Sequence, residues 1–62
     1  MTVTDGTRTY EGKSISETSA INMEDDGKIE YITEIQVGMA YHAIYESVRK
    51  PGRYFITTSY IS

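Results

Sequence analysis

The sequence predicts an α+β fold in which a small antiparallel sheet of three to four strands packs on one helix, in the order β-β-β-α-β. Apolar or aromatic residues occupy every odd position but one from Ile29 to Tyr45, which is the period-2 pattern of a strand with one buried face. Apolar residues also recur every four positions from Ala40 to Val48, as they do along a helix. The C-terminal segment is rich in β-branched and aromatic residues, which favour a strand.

The N-terminal part predicts a short hairpin and then a further strand. Asp5-Gly6 is a turn dipeptide, so we expect either a hairpin around it or a loop followed by an edge strand from Thr7 to Glu11. The segment Ser14 to Met23 has two readings. Ser14 and Glu17 have the spacing of a capping box that would start a helix. The β-branched and small hydroxyl residues of the segment favour a strand, which is the reading we prefer.

The dipeptide Asp26-Gly27 is the clearest local signal. An Asp-Gly pair between two strand-like segments is typical of a type I′ turn, in which both central residues have positive φ. We therefore expect a hairpin that pairs Glu17–Met23 with Lys28–Val37. Its register should be well fixed, since a slip of one residue would move the buried side chains to the opposite face.

A change of structure is expected near Gly38. A single strand from Lys28 to Val48 would be about 70 Å long, too long for a chain of this size. Good helix formers follow, cations lie at the end of the segment, and Pro51-Gly52 would stop a helix. We predict a helix from Met39 to Arg49. The alternative is a second hairpin bent at Gly38, with Tyr41 to Val48 as a strand.

The last element is predicted to be a strand from Arg53 to Ile61. Bulky residues occur on both of its faces, which indicates a central strand or one covered on both sides. Pairing of this strand across a dimer would supply additional burial. The predicted core of the whole chain consists of Ile21, Met23, Ile29, Tyr31, Ile35, Val37, Ala40, Ile44, Val48, Phe55 and Ile61.

The first half of the chain resembles Sm-like and SH3-like barrels in the spacing of its turns. The similarity rests on the turn at Asp5-Gly6, the segment Tyr10-Glu11-Gly12 and the expected hairpin at Asp25-Asp26-Gly27. It implies a small Sm/SH3-like β-barrel as the alternative fold. It implies no functional residue.

Length and composition indicate one small domain over residues 1–62. The chain has no cysteine, so disulfides and thiolate metal sites are excluded. A domain of about 60 residues buries only about 60% of its unfolded surface, and we therefore expect a homodimer or higher oligomer. No apolar run reaches the roughly 18 residues of a membrane span, and the N-terminus lacks the pattern of a signal peptide. We expect a cytoplasmic protein that does not enter membranes.

Charge is unevenly distributed along the chain. Residues 1–46 contain nine acids and three cations, a balance of 3 − 9 = −6, and residues 47–62 contain three cations and no acid, a balance of +3. A duplex-DNA binder needs a wide basic face, so nucleic acid is not the expected partner. The alternative function is a single-stranded nucleic-acid or RNA module that uses tyrosines together with Arg49, Lys50 and Arg53.

No motif indicates catalysis. His42 would lie one turn from Glu46 on the predicted helix, and we expect an exposed pair there rather than a general base. The acidic run Glu24 to Gly27 lacks the spacing of a calcium loop and is expected to be a solvated turn. We therefore expect no catalytic residue, no metal, no cofactor and no enzymatic activity.

Six tyrosines are the least ordinary feature of the composition. Tyrosine suits half-buried interface positions because it joins a large apolar ring to a polar tip. We predict a non-enzymatic protein-interaction module, a small acidic inhibitor or regulator that binds another protein. The predicted partner-binding residues are Tyr41, Tyr45, Tyr54, Tyr60, Asp25, Asp26, Glu30 and Glu34.

Overall fold

The computed structural model describes residues 1–61, which contain five strands and one helix. The fold is α+β, as predicted, but the order of elements is β-β-α-β-β-β. The predicted order β-β-β-α-β is therefore wrong, because one predicted strand is the helix, the predicted helix is a strand, and the chain has one strand more than that order contains. The elements are β1 (Thr2–Thr4), β2 (Thr9–Ser14), α1 (Glu17–Asp25), β3 (Ile29–Val37), β4 (Ala40–Ser47) and β5 (Tyr54–Tyr60).

The strands form one curled, mixed sheet, a half-barrel, in the order β1-β2-β5-β4-β3. All neighbouring strands are antiparallel except β2 and β5, which run parallel. The sheet thus has more strands than predicted and is not purely antiparallel. Because β3 lies at the opposite edge from β1, α1 carries the chain from β2 across one face of the sheet. It packs there on β3 and β5.

The predicted N-terminal hairpin is confirmed, since β1 and β2 pair antiparallel around the turn that contains Asp5-Gly6. The Asp5 carboxylate accepts hydrogen bonds from the backbone N–H groups of Thr7 and Arg8, each at 2.7 Å. These bonds, first that from Arg8 and then that from Thr7, hold the pKa of Asp5 below its ordinary value. A carboxylate side chain therefore fixes the first turn of the chain.

The predicted strand over Ser14 to Met23 is wrong, because the segment contains α1. The helix begins after Ser16 rather than Ser14, and the Ser16 hydroxyl accepts the backbone N–H of Ser19 at 3.1 Å. Ala20, only 1% exposed, is the buried residue of the helix. Weak helix formers are tolerated here because the cap and the packing of α1 on the sheet outweigh local propensity.

The expected hairpin at Asp26-Gly27 is also wrong, because these residues end α1. The backbone N–H of Gly27 donates to the Glu24 carbonyl, and that of Lys28 donates to the Met23 carbonyl. This pair of bonds is the Schellman motif of helix ends, with Gly27 at φ +73°. A glycine of positive φ serves a hairpin and a helix terminus equally well, so the dipeptide alone does not distinguish them.

The predicted helix over Met39 to Arg49 is wrong, and the alternative hairpin at Gly38 is confirmed. Val37 pairs with Ala40 across a two-residue turn whose first residue, Gly38, has φ +62°, as a type II′ turn requires. β4 pairs with β3 on one side and with β5 on the other. Hydrogen bonding along both edges of the segment therefore outweighs its helical propensity.

A break in register within β3 divides the predicted apolar stripe between the two faces of the sheet. Tyr31 pairs with Tyr45 and Thr33 pairs with Ile44, so the residue between Tyr31 and Thr33 is extra, as in a β-bulge. Odd-numbered residues before the bulge and after it consequently point to opposite faces. The prediction that one face carries the whole stripe is wrong for this reason.

The main core lies on the face of the sheet that we call the core face, opposite α1. It consists of Val3, Tyr10, Ile35, Ile44 and Ile56. Of the predicted core, the residues confirmed as buried are Ile29, Ile35 and Ile44. Those that are partly buried are Met23, Ala40 and Phe55, and those that are exposed are Ile21, Tyr31, Val37, Val48 and Ile61.

The predicted C-terminal strand is confirmed as β5 and lies inside the sheet. It pairs with β4 along its length and with β2 over Tyr54–Ile56. Ile56 is fully buried, although the predicted core contained Phe55 and Ile61 from the opposite face of this strand. Among residues 1–61, no helix is long and apolar enough to cross a membrane.

Candidate functional site

A groove lies between α1 and the sheet on the face that we call the helix face. Its floor is formed by β4 and β5 and its walls by α1 and β3. It has a volume of about 250 Å³. We call it the tyrosine groove, and its lining residues are Glu17, Ile21, Tyr31, Glu34, Tyr41, Ala43, Tyr45, Thr57 and Ser59.

The three tyrosines of this groove come from two adjacent strands. Tyr41 and Tyr45 lie on the same face of β4, four residues apart, and Tyr31 is the cross-strand partner of Tyr45. The rings of Tyr31 and Tyr45 pack edge to face, with centroids 5.8 Å apart and planes at 78°. This contact orients both rings at the end of the groove.

The bulge in β3 decides which carboxylate enters the groove. Because the face of each residue changes at the bulge, Glu34 lies opposite Ala43 on the helix face, whereas Glu30 lies opposite Glu46 on the other face. Glu17 of α1 supplies a second carboxylate. Among the described residues, those that line the groove include two carboxylates and no lysine or arginine.

The titratable groups that act on Tyr45 in the groove are acidic. Burial raises the pKa of the Tyr45 phenol above its ordinary value, and the nearby Glu24 carboxylate, the Tyr31 phenol and the Glu17 carboxylate raise it further. A negative field disfavours the phenolate and would favour a cation at the same place. The groove therefore combines three tyrosine rings with two carboxylates, which would favour a positive charge.

The predicted partner-binding residues are only partly brought together. Tyr41, Tyr45 and Glu34 share the groove. Tyr54 instead packs on Tyr10 at the core, with ring centroids 5.2 Å apart, and Tyr60 is 74% exposed at the end of β5. Of the acidic residues, Glu30 lies on the opposite face, and Asp25 and Asp26 lie at the C-terminal end of α1.

Six of the nine lining residues were not predicted as binding residues, among them Tyr31, Glu17 and Ile21. Tyr31 was expected in the core, but it is 52% exposed. Glu17 and Ile21 were assigned to a strand, although their spacing of four residues places them on one face of a helix. The helical reading of Ser14 to Met23, had it been preferred, would have put these two side chains together.

A second charged region lies at the other end of α1. Lys28 joins the predicted cations Arg49, Lys50 and Arg53 around a cleft of about 200 Å³, which also contains Met23, Ser47 and Phe55. The next cleft along the sheet, of about 280 Å³, is lined by Lys13 and also by Arg53 and Phe55. The structure thus gathers the three predicted cations and adds two that are distant in the sequence.

An apolar patch occupies the end of the sheet near the β3–β4 turn. Ile61 donates its backbone N–H to the Met39 carbonyl at 2.9 Å, and Tyr60 and Val37 both flank Ala40 in the register of the sheet. Met1 lies close by, with its sulfur 3.8 Å from the Thr58 hydroxyl. We call this region the end patch; its members, all 42–74% exposed, are Met1, Val37, Met39, Tyr60 and Ile61.

The expected exposed pair of His42 and Glu46 does not form. The two residues lie in a strand, where four residues span about 13 Å. His42 is buried, with Nδ1 3.1 Å from the Thr58 hydroxyl, and Glu46 accepts the backbone N–H of Gly52 at 3.0 Å. Within residues 1–61, no three His, Asp or Glu side chains are grouped so that they could hold a metal ion.

Comparison of the chain with protein-family models, with curated proteins and with solved structures finds no match. Its function is therefore argued from its own residues.

Proposed function

We propose that this protein is a non-enzymatic interaction module that binds a basic segment of another protein in the tyrosine groove. The observation that carries the proposal is the convergence of three tyrosines and two carboxylates in one groove. The protein would act as a small acidic inhibitor or regulator by covering a basic surface of its partner.

The groove can accommodate both the charged group and the aliphatic stem of a lysine or arginine side chain. Its charged group would contact the faces of Tyr41 and Tyr45, where cation–π attraction contributes about 0.5–1 kcal/mol at exposed sites. Glu34 would accept its hydrogen bonds, which are strengthened by charge. The aliphatic stem would lie on Ile21, which is 56% exposed and otherwise in water.

The groove is held in shape by the fold. β4, which carries Tyr41 and Tyr45, is paired on both edges. The wall formed by α1 is fixed at its N-terminus by Ser16 and at its C-terminus by the glycine motif at Gly27. A site that is already ordered loses little conformational entropy on binding, so more of the contact energy appears as affinity.

The charge of the protein supports a basic partner as well. The net charge is −3, and all nine acids precede the three C-terminal cations in the chain. Long-range attraction between opposite charges accelerates encounter more than it adds affinity. Association should therefore slow as salt is raised, because screening weakens this attraction.

The test compares two isosteric variants on one strand. Short peptides in which lysine or arginine alternates with apolar residues would be titrated into wild type, Glu34→Gln and Glu30→Gln, and binding would be followed by calorimetry. Both variants remove one charge, but only Glu34 lines the groove. We expect Glu34→Gln to weaken binding about 5-fold, a loss of about 1 kcal/mol, and Glu30→Gln to bind like wild type at physiological salt.

Equal weakening by the two variants would show that only net charge matters and would refute the groove as the site. A failure of every basic peptide to bind wild type, or stronger binding of acidic peptides of the same length, would refute the proposed function itself. Tyr41→Leu keeps apolar bulk while removing the aromatic face, and we expect it to weaken binding at constant charge.

We further propose that a second copy of this chain covers the end patch. A domain of this size has little core of its own, and the patch exposes five large apolar side chains. None of these side chains is ionised, so two identical copies can meet there without the repulsion expected between acidic surfaces.

Light scattering over a range of protein concentrations tests this association. We expect wild type to show a mass above that of one chain and the double variant Met39→Ser with Tyr60→Ser to be monomeric. Val48→Ser is the matched control, because Val48 is 53% exposed but lies outside the end patch. A monomeric wild type at high concentration, or an equal effect of Val48→Ser, would contradict the proposal.

A further inference from the structure

Five of the six lysine and arginine residues of this protein lie around one aromatic side chain. The two clefts described above share Arg53 and Phe55 and together form one continuous surface. We call it the basic surface, defined by Lys13, Lys28, Arg49, Lys50 and Arg53. One carboxylate, Glu11, is among the described residues that line it.

Three separate parts of the chain build this surface. Lys13 lies in β2 directly beside Phe55 of β5. Lys28 follows the end of α1, and the remaining cations lie in the connection between β4 and β5. The count of charges along the chain predicted a basic end of +3, and the fold gathers five cations, with Glu11 in the lining and Glu46 next to it at the Gly52 N–H.

The cleft around Lys28 is fixed by backbone hydrogen bonds. The Lys28 N–H donates to Met23, and the Lys28 carbonyl accepts the N–H of Val48, both at 2.9 Å. The N–H of Ser47 donates to the carbonyl of Arg53 at 2.8 Å. The end of α1 and the β4–β5 connection are therefore tied to each other, and the backbone positions that carry Lys28 and Arg53 are fixed relative to each other without a ligand.

We propose that the basic surface binds single-stranded nucleic acid, with phosphates on its cations and a base against Phe55. Proteins that bind single strands combine a positively charged track with an aromatic side chain on which a base stacks, and this surface has both. Phe55 is partly exposed at the junction of the two clefts. A base placed there would have cations on either side for the phosphates that flank it.

The geometry favours a single strand over a duplex. A duplex presents its phosphates along two backbones and requires a wide basic face. Here the cations surround two small clefts with an apolar floor, which an unpaired base can enter and a paired base cannot. The surface is separate from the tyrosine groove, since Met23 at the end of α1 lines the former and Ile21 lines the latter.

The experiment measures the fluorescence anisotropy of labelled single-stranded oligonucleotides of about 10 nucleotides, a length within the usual site size. Wild type would be compared with Lys28→Gln, Arg53→Gln and Arg8→Gln at several salt concentrations. Arg8→Gln is the matched control, because it removes the same charge from the one cation outside the basic surface.

We expect Lys28→Gln and Arg53→Gln each to weaken binding about 5- to 10-fold. Each should also reduce the dependence of log K on log salt by about 0.7, the contribution of one phosphate of a single strand. Arg8→Gln should bind like wild type. Phe55→Leu should weaken binding about 5-fold with no change in the salt dependence, because stacking is not ionic.

Several results would overturn the proposal. No binding by wild type at about 50 mM salt would do so, as would an effect of Arg8→Gln as large as that of Arg53→Gln. Displacement of the oligonucleotide by a polyglutamate peptide of equal charge at equal concentration would assign the surface to acidic peptides instead. Circular dichroism would confirm that each variant is folded. If Phe55→Leu does not fold, the lysine and arginine variants alone decide whether the basic surface binds the oligonucleotide.

Discussion

Gly12 of β2 lies opposite Tyr54 of β5 at a distance that leaves no room for a side chain. A Cβ atom at position 12 would lie 2.7 Å from the carbonyl carbon of Tyr54 and 2.9 Å from its Cβ. These two residues form the first pair of the parallel contact between β2 and β5. Position 12 therefore requires glycine because β2 and β5 approach each other closely there, and not because the chain turns.

Gly12→Ala should separate β2 from β5 and destabilise the protein by about 1–3 kcal/mol, the usual cost of forcing atoms into a packed site. Chemical denaturation would measure the loss. Glu11→Ala is the control, because Glu11 is adjacent and exposed, and we expect a change within about 0.5 kcal/mol. Equal stability of the two variants would mean that the strands are not this close.

Ile56 provides a test of the core. Its side chain is 0% exposed and packs among the residues of the core face. We expect Ile56→Val to cost about 0.5–1.5 kcal/mol and Ile56→Ala about 2–5 kcal/mol, since each deletion leaves a larger cavity. Ile21→Ala removes the same atoms from a side chain that is 56% exposed. It should change the free energy of unfolding little, and a loss as large as that of Ile56→Ala would contradict the assigned burial.

Two serines distinguish the observed start of α1 from the predicted one. Ser16→Ala removes the hydroxyl that accepts the Ser19 N–H, and we expect a loss of about 1 kcal/mol. Ser14→Ala changes an exposed residue of β2 and should be nearly neutral. Thermal unfolding of both variants measures the difference. A larger loss for Ser14→Ala would indicate that the helix begins earlier, at the predicted capping box.

The raised pKa of Tyr45 predicts a loss of stability in alkali. A phenol whose pKa is higher in the folded state than in the unfolded state stabilises the fold below its ordinary pKa of 10.0, and this contribution falls as pH rises through the folded value. The free energy of unfolding should therefore decrease above about pH 10, and less so in Tyr45→Phe.

Ultraviolet titration of the tyrosines tests the cause of that shift. Glu24→Gln should lower the pKa of Tyr45, because the Glu24 carboxylate is the largest contributor after burial. Glu30→Gln removes the same charge from the opposite face of β3 and should leave the titration unchanged. A similar effect of both variants would indicate that the whole charge of the protein acts on Tyr45, rather than the nearby carboxylate of Glu24.

The α+β class and β5 could be predicted from the sequence, and the N-terminal segment could be narrowed to a hairpin or a loop with an edge strand. The signals are short-range: a turn dipeptide at Asp5-Gly6, and a run of β-branched and aromatic residues after Pro51-Gly52. The exclusion of disulfides likewise follows from the sequence alone, because the chain has no cysteine.

Long-range contacts choose between two structures wherever the local signals fit both. Asp26-Gly27 fits a hairpin or a helix end, and the segment from Met39 fits a helix or a strand, because positive φ and helix propensity are local properties. The choice between helix and strand is made by hydrogen bonds and burial between distant residues, such as the pairing of β4 with both β3 and β5.

Less of the candidate sites than of the fold could be predicted from the sequence. Tyr41, Tyr45 and Glu34 were selected, but a single bulged residue in β3 determines that Glu34 and not Glu30 joins the tyrosines. Lys13 and Lys28 join Arg53 only because β2, the end of α1 and the β4–β5 connection meet. Composition thus sets which charges the protein carries, and the fold sets which of them act together.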